Sequence, residues 1–231
     1  MSEINQSGIS IWVALVIGII SLGLYFFMIS YIDKRKKKNE SNESEIYLKR
    51  GIGVITFGFF PLITSLFFPV SVVEDFGLVF PQPVASGIWL LVLILFIIPL
   101  GIYWAKTPGN LGMYPQIRSS NWTPRLYAWS ALTWAAYLLA YEFFFRGFLL
   151  FTFYYALGAM PAVIINVIIY SLAHLPKGKV ETVGAIPYGV ILCIVTLSTG
   201  SIWAAFGAHV VMALTNEWAS IYYHKKLKGA A

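Results

Sequence analysis

The stretch AYEFFFRGFLL, residues 140–150, places two charged side chains in a run of aromatic and aliphatic residues. Glu142 and Arg146 are four residues apart, so a helix brings them to one face. A charge at membrane depth costs at least about 2.5–3.5 kcal/mol, and such residues persist mainly where they are paired or functional. The pair is therefore either a structural ion pair or part of a site that uses a carboxylate.

Three further polar residues interrupt apolar segments in the second half of the chain. His174 follows IIYSLA, and His209 and Asn216 occur in FGAHVVMALTNEW, seven residues apart and so on roughly one helical face. A carboxylate, an arginine, two imidazoles and an amide are groups that can activate water and stabilise an oxyanion. In this hypothesis Glu142 and His174 polarise water, His209 and Asn216 donate to the oxyanion, and Arg146 orients the carboxylate.

The depth of these residues can be estimated by counting along helices from the predicted turns. Glu142 and His174 each lie sixteen residues from Gly158, which corresponds to about 24 Å at 1.5 Å per residue. Asn216 lies sixteen residues beyond the turn at Gly200, and thus reaches a similar level. His209 is expected to lie about 10 Å nearer the outer face than Asn216.

The same residues contain a possible metal site. Glu142, His174 and His209 form a set of two histidines and one carboxylate, which suits zinc with water in the fourth position. The chain has no His-Glu-x-x-His motif, and Cys193 is the single cysteine. The sequence therefore leaves open whether zinc or the side chains alone would activate the water.

The elements that position these residues are transmembrane helices. The 231 residues are 58% hydrophobic and 11% charged, with a mean hydropathy of +0.74, which excludes an ordinary soluble domain. A helix needs about 20 apolar residues to cross a bilayer core. The apolar runs predict an all-α membrane bundle of about seven spans: Ile9 to Tyr31, Ile52 to Val73, Gly87 to Ala105, Pro124 to Tyr155, Gly158 to Leu175, Val183 to Thr199 and Ile202 to Tyr223.

The lysines and arginines predict the orientation of this bundle. Fifteen of the sixteen fall in segments on one face of the seven-span arrangement, seven of them in DKRKKKNESNESEIYLKR, and Arg146 is the exception. By the positive-inside rule the amino terminus is outside and the carboxy terminus is cytoplasmic. Anionic lipid head groups account for the basic run, so no nucleic-acid partner is expected. The segment KKKNESNESE, residues 36–45, is predicted to be a solvated, mobile loop.

Three motifs resemble the CPBP family of intramembrane proteases, the CAAX prenyl endopeptidases and bacteriocin-processing (ABI-type) proteins. YEFFFRG matches the family's Glu-Glu-x-x-x-Arg motif through Glu142 and Arg146, and YSLAH matches its aromatic-x-x-x-His motif through His174. HVVMALTN supplies His209 for the third motif. The resemblance covers about Thr123 to Tyr223 and implies a catalytic core at residues 123–224. The apolar runs place this core in one integral membrane domain, 1–231, in which residues 1–122 form amino-terminal helices with a basic loop.

Two residues depart from the family pattern. Tyr141 replaces the first glutamate of the motif, and Ala213 stands four residues after His209 where the family has Asn or Asp. The resemblance implies an intramembrane endopeptidase, described in the family as a metalloprotease, that acts on a membrane protein or a lipidated or peptide substrate. The alternative is a catalytically impaired scaffold or immunity-type protein. A transporter would be expected to show repeated halves, which the sequence lacks. The composition favours a prokaryotic plasma membrane.

Overall fold

The computed structural model describes residues 8–35, 42–80 and 83–229, and these residues form helices and connecting turns without a strand. The first helices are α1 (Ile11–Arg35), α2 (Glu43–Ser65) and the short α3 (Val72–Asp75). They are followed by α4 (Pro83–Ala105) and α5 (Pro108–Met113). The remaining helices are α6 (Pro124–Leu157), α7 (Ala159–Leu172), α8 (Lys179–Thr199) and α9 (Trp203–Gly229), with a 3-10 turn at Leu175–Lys177.

The predicted all-α membrane class is confirmed. Among the described residues, five helices are long and apolar enough to cross a bilayer, namely α1, α2, α4, α6 and α8. Each of the seven predicted spans has a helix, but α7 has only 14 residues and α9 has polar residues at its centre. The number of membrane crossings and the orientation of the termini stay predictions.

Helix α6 is the central element, and it begins and ends where the sequence predicts. Thr123 Oγ1 accepts a hydrogen bond from the Leu126 amide, and Pro124 occupies the first turn, as expected for an N-cap followed by proline. The helix stops at Gly158, whose φ of +80° is accessible to glycine at little cost. The most apolar window of α6 is 83% buried, against 11% for α4, so the other helices surround α6.

Two helices contain π-helical segments, Val54–Phe59 in α2 and Phe143–Leu150 in α6. The second begins directly after Glu142, and all eight of its residues are buried. Segments of this kind are frequent at functional sites. Asn166 of α7 donates a hydrogen bond from its amide to the carbonyl of Phe145 within the segment, and Cys193 of α8 donates from Sγ to Asn166 Oδ1 over 3.2 Å. The neighbouring helices therefore hold the irregular part of α6 in place.

Helix α9 starts deeper in the bundle than the turn at Gly158. Gly200 ends α8 in the left-handed conformation, with φ +64°, and the buried Ser201 and Ile202 follow it. Ser201 Oγ donates to the carbonyl of Val79, and the Ile202 amide donates to the carbonyl of Gly77. From this covered start α9 packs along α4. Gly77, which meets this turn, also lies against Phe151, seven residues before Gly158, so the two turns do not lie at equal depth.

The predictions for the basic segment need correction. Helix α2 begins at Glu43, nine residues before the predicted span, and it ends at Ser65 instead of Val73. Arg50, assigned to the loop from sequence, is helical and only 4% exposed. Arg146 is thus not the only basic residue inside the bundle. Of the predicted mobile loop, residues 36–41 lie outside the described part, and Glu43 onwards is helical.

Candidate active site

The Glu142 carboxylate lies against His209. His209 Nδ1 is 2.6 Å from Glu142 Oε1, and the carboxylate is completely buried. An ionised carboxylate only accepts hydrogen bonds, so Nδ1–H donates and the lone pair of His209 remains on Nε2. This contact corrects the estimate that His209 lies at a different depth, because that estimate assumed equal turn heights and regular helices.

Arg146 lies on the other side of the same carboxylate. Its Nε is 3.4 Å from Glu142 Oε2, and both side chains have no exposed surface. The guanidinium also lies over the ring of Tyr170, at 4.2 Å from the ring centroid. Glu142 and Arg146 therefore form a buried ion pair, and the Glu142 carboxylate also bonds the His209 imidazole. These contacts offset the cost of burying the two charges.

His174 lies just beyond the end of α7, and it faces a cavity. Its Nδ1 is 2.9 Å from the carbonyl of Tyr170, so Nδ1–H donates to this oxygen and the lone pair is on Nε2. His174 is 9% exposed.

Tyr141, which stands in place of the family glutamate, lies between the two histidines. Its ring contacts both imidazoles edge-on, at centroid distances of 6.2 Å to His174 and 5.6 Å to His209. The ring also packs on Phe57 and Phe145 at 5.6 Å and 4.5 Å. The substitution therefore replaces a charged group with an aromatic ring that fills the space between the imidazoles.

A cavity of about 330 Å³ reaches Tyr141 and His174 from the end of the bundle that carries Asp33, Lys49 and Lys177. Much of its wall is aromatic, and its charged lining residues are Asp33, Lys49, Arg50 and Lys177. Neither Glu142 nor His209 lines the cavity. His174 therefore lines the open cavity. His209 belongs to a buried group of polar side chains behind it.

Asn216 is not brought to this group. It lies seven residues beyond His209 on α9, about 10 Å along a helix. Its Oδ1 is buried and has no hydrogen-bond partner among the described residues. Ala213, where the family has an amide or a carboxylate, packs in an apolar cluster with Tyr114, Trp134 and Leu138.

A second buried charge pair, which sequence reasoning missed, lies beside the cavity, and its arginine forms part of the cavity wall. Arg50 Nη2 is 4.0 Å from Glu217 Oε1, and Glu217 has no exposed surface. Arg50 Nη1 donates to the Ser130 carbonyl over 2.9 Å and to Thr133 Oγ1 over 2.7 Å, while Nη2 donates to Gln116 Oε1. The available signal was Glu217 itself, an acidic residue directly after Asn216 in an apolar helix. Arg50 gave no such signal, because it follows a charged segment.

The zinc hypothesis can be tested against the donor atoms. Glu142 Oε1 is occupied by His209 Nδ1, and Oε2 faces a guanidinium that would repel a cation. Within the described ranges, no three His, Cys, Asp or Glu side chains are grouped to hold a metal ion. As placed, Glu142, His174 and His209 do not form a ligand set, and no step proposed below passes through a metal.

One of three comparisons with known proteins finds a match. Residues 121–215 match the family model described as type II CAAX prenyl endopeptidase Rce1-like. No curated protein and no solved structure matches the chain. The family match agrees with the resemblance carried by the three motifs, and it includes Glu142, Arg146, His174 and His209. With its five apolar helices, the protein is an integral membrane protein, and its residues 121–215 are similar to the Rce1-like family.

Proposed function

Because residues 121–215 form a domain of a membrane-protease family, we propose that the protein is an intramembrane endopeptidase. The observation that carries this proposal is the buried hydrogen bond of 2.6 Å between His209 and Glu142. A carboxylate that accepts Nδ1–H fixes the tautomer of an imidazole and leaves Nε2 as a base, as in hydrolytic triads. Such a base can take a proton from water.

The roles of the residues differ from those predicted from sequence. His209 Nε2 removes the proton from water, and Glu142 orients His209 and stabilises its protonated form. Arg146 holds Glu142 in the ionised state, because a buried carboxylate without a cationic partner would take up a proton. His209 then returns this proton to the tetrahedral intermediate, and His174 Nε2, at the cavity, relays it to the nitrogen of the leaving amine, so that both imidazoles end neutral. Asn216 has no part in this proposal.

We further propose that the substrate is a lipidated or membrane-associated peptide that enters through the cavity. The printed family description, the aromatic wall and the charged mouth support this class. Placement in a prokaryotic plasma membrane, with the basic segments towards the cytoplasm and its anionic lipids, rests on the distribution of lysine and arginine.

Peptide cleavage by the purified protein in nanodiscs tests the proposal. A panel of fluorogenic peptides, with and without a prenyl group, is offered to the native chain and to His209→Ala and Glu142→Gln. We expect both substitutions to lower kcat by about 10²- to 10⁴-fold, the usual contribution of a general base. His224→Ala is the matched control, because His224 bonds the carbonyls of Leu111 and Tyr114, away from the site. Full cleavage by His209→Ala would refute the assignment.

A scaffold without catalysis is the second candidate, and the position of Tyr141 favours it. The ring lies between both histidines, and the ion pair behind it can stabilise the bundle without touching a substrate. A scaffold predicts that Glu142→Ala retains partner binding, measured by co-purification from the native membrane. It also predicts that the native chain cleaves no peptide of the panel.

A further inference from the structure

The buried group behind Tyr141 contains polar atoms without a hydrogen-bond partner among the described residues. Glu142 Oε2 and Arg146 Nε face each other as an ion pair at 3.4 Å but make no hydrogen bond, and Nη1 and Nη2 of Arg146 make none either. The hydroxyl of Tyr188 is also buried and unpartnered, and its ring contacts His209 at a centroid distance of 5.8 Å. Buried polar atoms are normally satisfied by protein groups or by ordered water. This region, which we call the inner compartment, is therefore suited to hold water.

The inner compartment has no open route to the cavity in this structure. Glu142 and Arg146 are 0% exposed, whereas Tyr141 is 5% exposed and forms part of the cavity wall. Behind that wall, the ring of Tyr141 lies edge-on to His209, which bonds Glu142. Tyr141 is thus the side chain that the cavity and the inner compartment share.

We propose that the ring of Tyr141 is a gate that separates the cavity from a water-holding inner compartment formed by Glu142, Arg146 and Tyr188. In the closed state, the ring keeps solvent from the carboxylate. When the ring turns towards the space of the cavity, water and a substrate carbonyl reach His209. Only the access of a substrate carbonyl and water to His209 rests on the proposed function. The separation of the cavity from the inner compartment follows from the packing of Tyr141 alone.

Chemical labelling of carboxylates tests the gate without a substrate. The full chain in nanodiscs is treated with a water-soluble carbodiimide and glycine ethyl ester, and modified glutamates are identified by mass spectrometry. Glu217, which is also 0% exposed, serves as an internal control for the integrity of the fold. We expect Tyr141→Ala to raise the labelling rate of Glu142 several-fold and to leave that of Glu217 unchanged.

Two matched variants separate the gate from a general loosening of the wall. Tyr141→Phe keeps the ring and should label as the native chain does. Tyr137→Ala removes another tyrosine that lines the cavity, and it should leave Glu142 unlabelled. The proposal is overturned if Tyr141→Ala leaves Glu142 unlabelled, or if Tyr137→Ala opens Glu142 equally.

A third variant decides the case in which Tyr141→Ala raises the labelling of both Glu142 and Glu217. That result means that the fold has loosened, and the milder Tyr141→Leu then replaces the alanine variant. A rise at Glu142 alone supports the gate, and any other pattern overturns it. If the labelling supports the gate but the native chain cleaves no peptide, the proposed endopeptidase function is refuted and the gate is not.

Discussion

Replacing Arg146 with methionine should destabilise the protein strongly. Its guanidinium is fully buried at 3.4 Å from Glu142 Oε2, and the substitution leaves a buried carboxylate without its cationic partner. Breaking a buried pair in this way costs about 3–5 kcal/mol. Loss of the contact with the Tyr170 ring, at 4.2 Å, adds about 0.5–2 kcal/mol. The expected fall in the free energy of unfolding is therefore at the upper end of single-residue effects.

A double-mutant cycle separates the effect of breaking the charge pair from the effect of removing side-chain volume. Glu142→Gln alone leaves Arg146 as an uncompensated buried charge, and Glu142→Gln with Arg146→Met leaves neither charge. We expect the double variant to be more stable than the sum of the two single effects by about 1–3 kcal/mol, the range for residues in contact. Arg125→Met, at an exposed arginine of the same helix, should change stability by less than about 0.5 kcal/mol.

The assay is reversible chemical denaturation of the detergent-solubilised chain, followed by tryptophan fluorescence. Strict additivity of the two single substitutions would contradict the pairing of Glu142 with Arg146. A loss below about 1 kcal/mol for Arg146→Met would show that the charge is solvated, since only exposed ion pairs are worth so little.

Two further predictions concern Asn166 and Arg50, whose hydrogen bonds and ion pair stabilise the helices around the site. Asn166→Ala removes the donor to the Phe145 carbonyl in the π-helical segment, and the same denaturation assay should show a loss of about 1–3 kcal/mol; no loss would mean that another donor replaces Asn166. Arg50→Met leaves Glu217 buried without its cation and should cost about 3–5 kcal/mol, whereas Lys49→Met next to it should cost less than about 1 kcal/mol. Equal losses for these two substitutions would contradict the burial of Arg50.

The general architecture could be predicted from the sequence because it depends on local signals. Hydrophobic runs long enough to span a bilayer predict helices. Thr123 before Pro124 predicts a helix start, and the glycines at 158 and 200 predict turns. The family resemblance also depends on short motifs whose spacing is readable directly. The family match from 121 to 215 and the helical fold confirm these predictions.

The arrangement of the polar residues could not be predicted in the same way. Counting residues assigns a depth only if helices are regular and turns are level, and neither condition holds here. The contact between Glu142 and His209 depends on the position of the turn at Gly200 and on an irregular α6. Arg50 was placed in a loop because charge counting does not show which basic side chains find acceptors inside the bundle.

The π-helical segment of α6 also determines which positions of this helix are equivalent. A π turn closes with one residue more than an α turn, and one residue corresponds to about 100° of rotation in an α-helix. The parts of α6 before Phe143 and after Leu150 are therefore out of phase with a continuous α-helix. A helical wheel drawn through the whole of α6 assigns the later residues to the wrong neighbours. Removal of a single residue between 143 and 150 would let this segment close with α turns and keep the later side chains of α6 near their present partners. Removal of a single residue between 124 and 142 would instead turn the earlier part of α6 by about 100° relative to the later part.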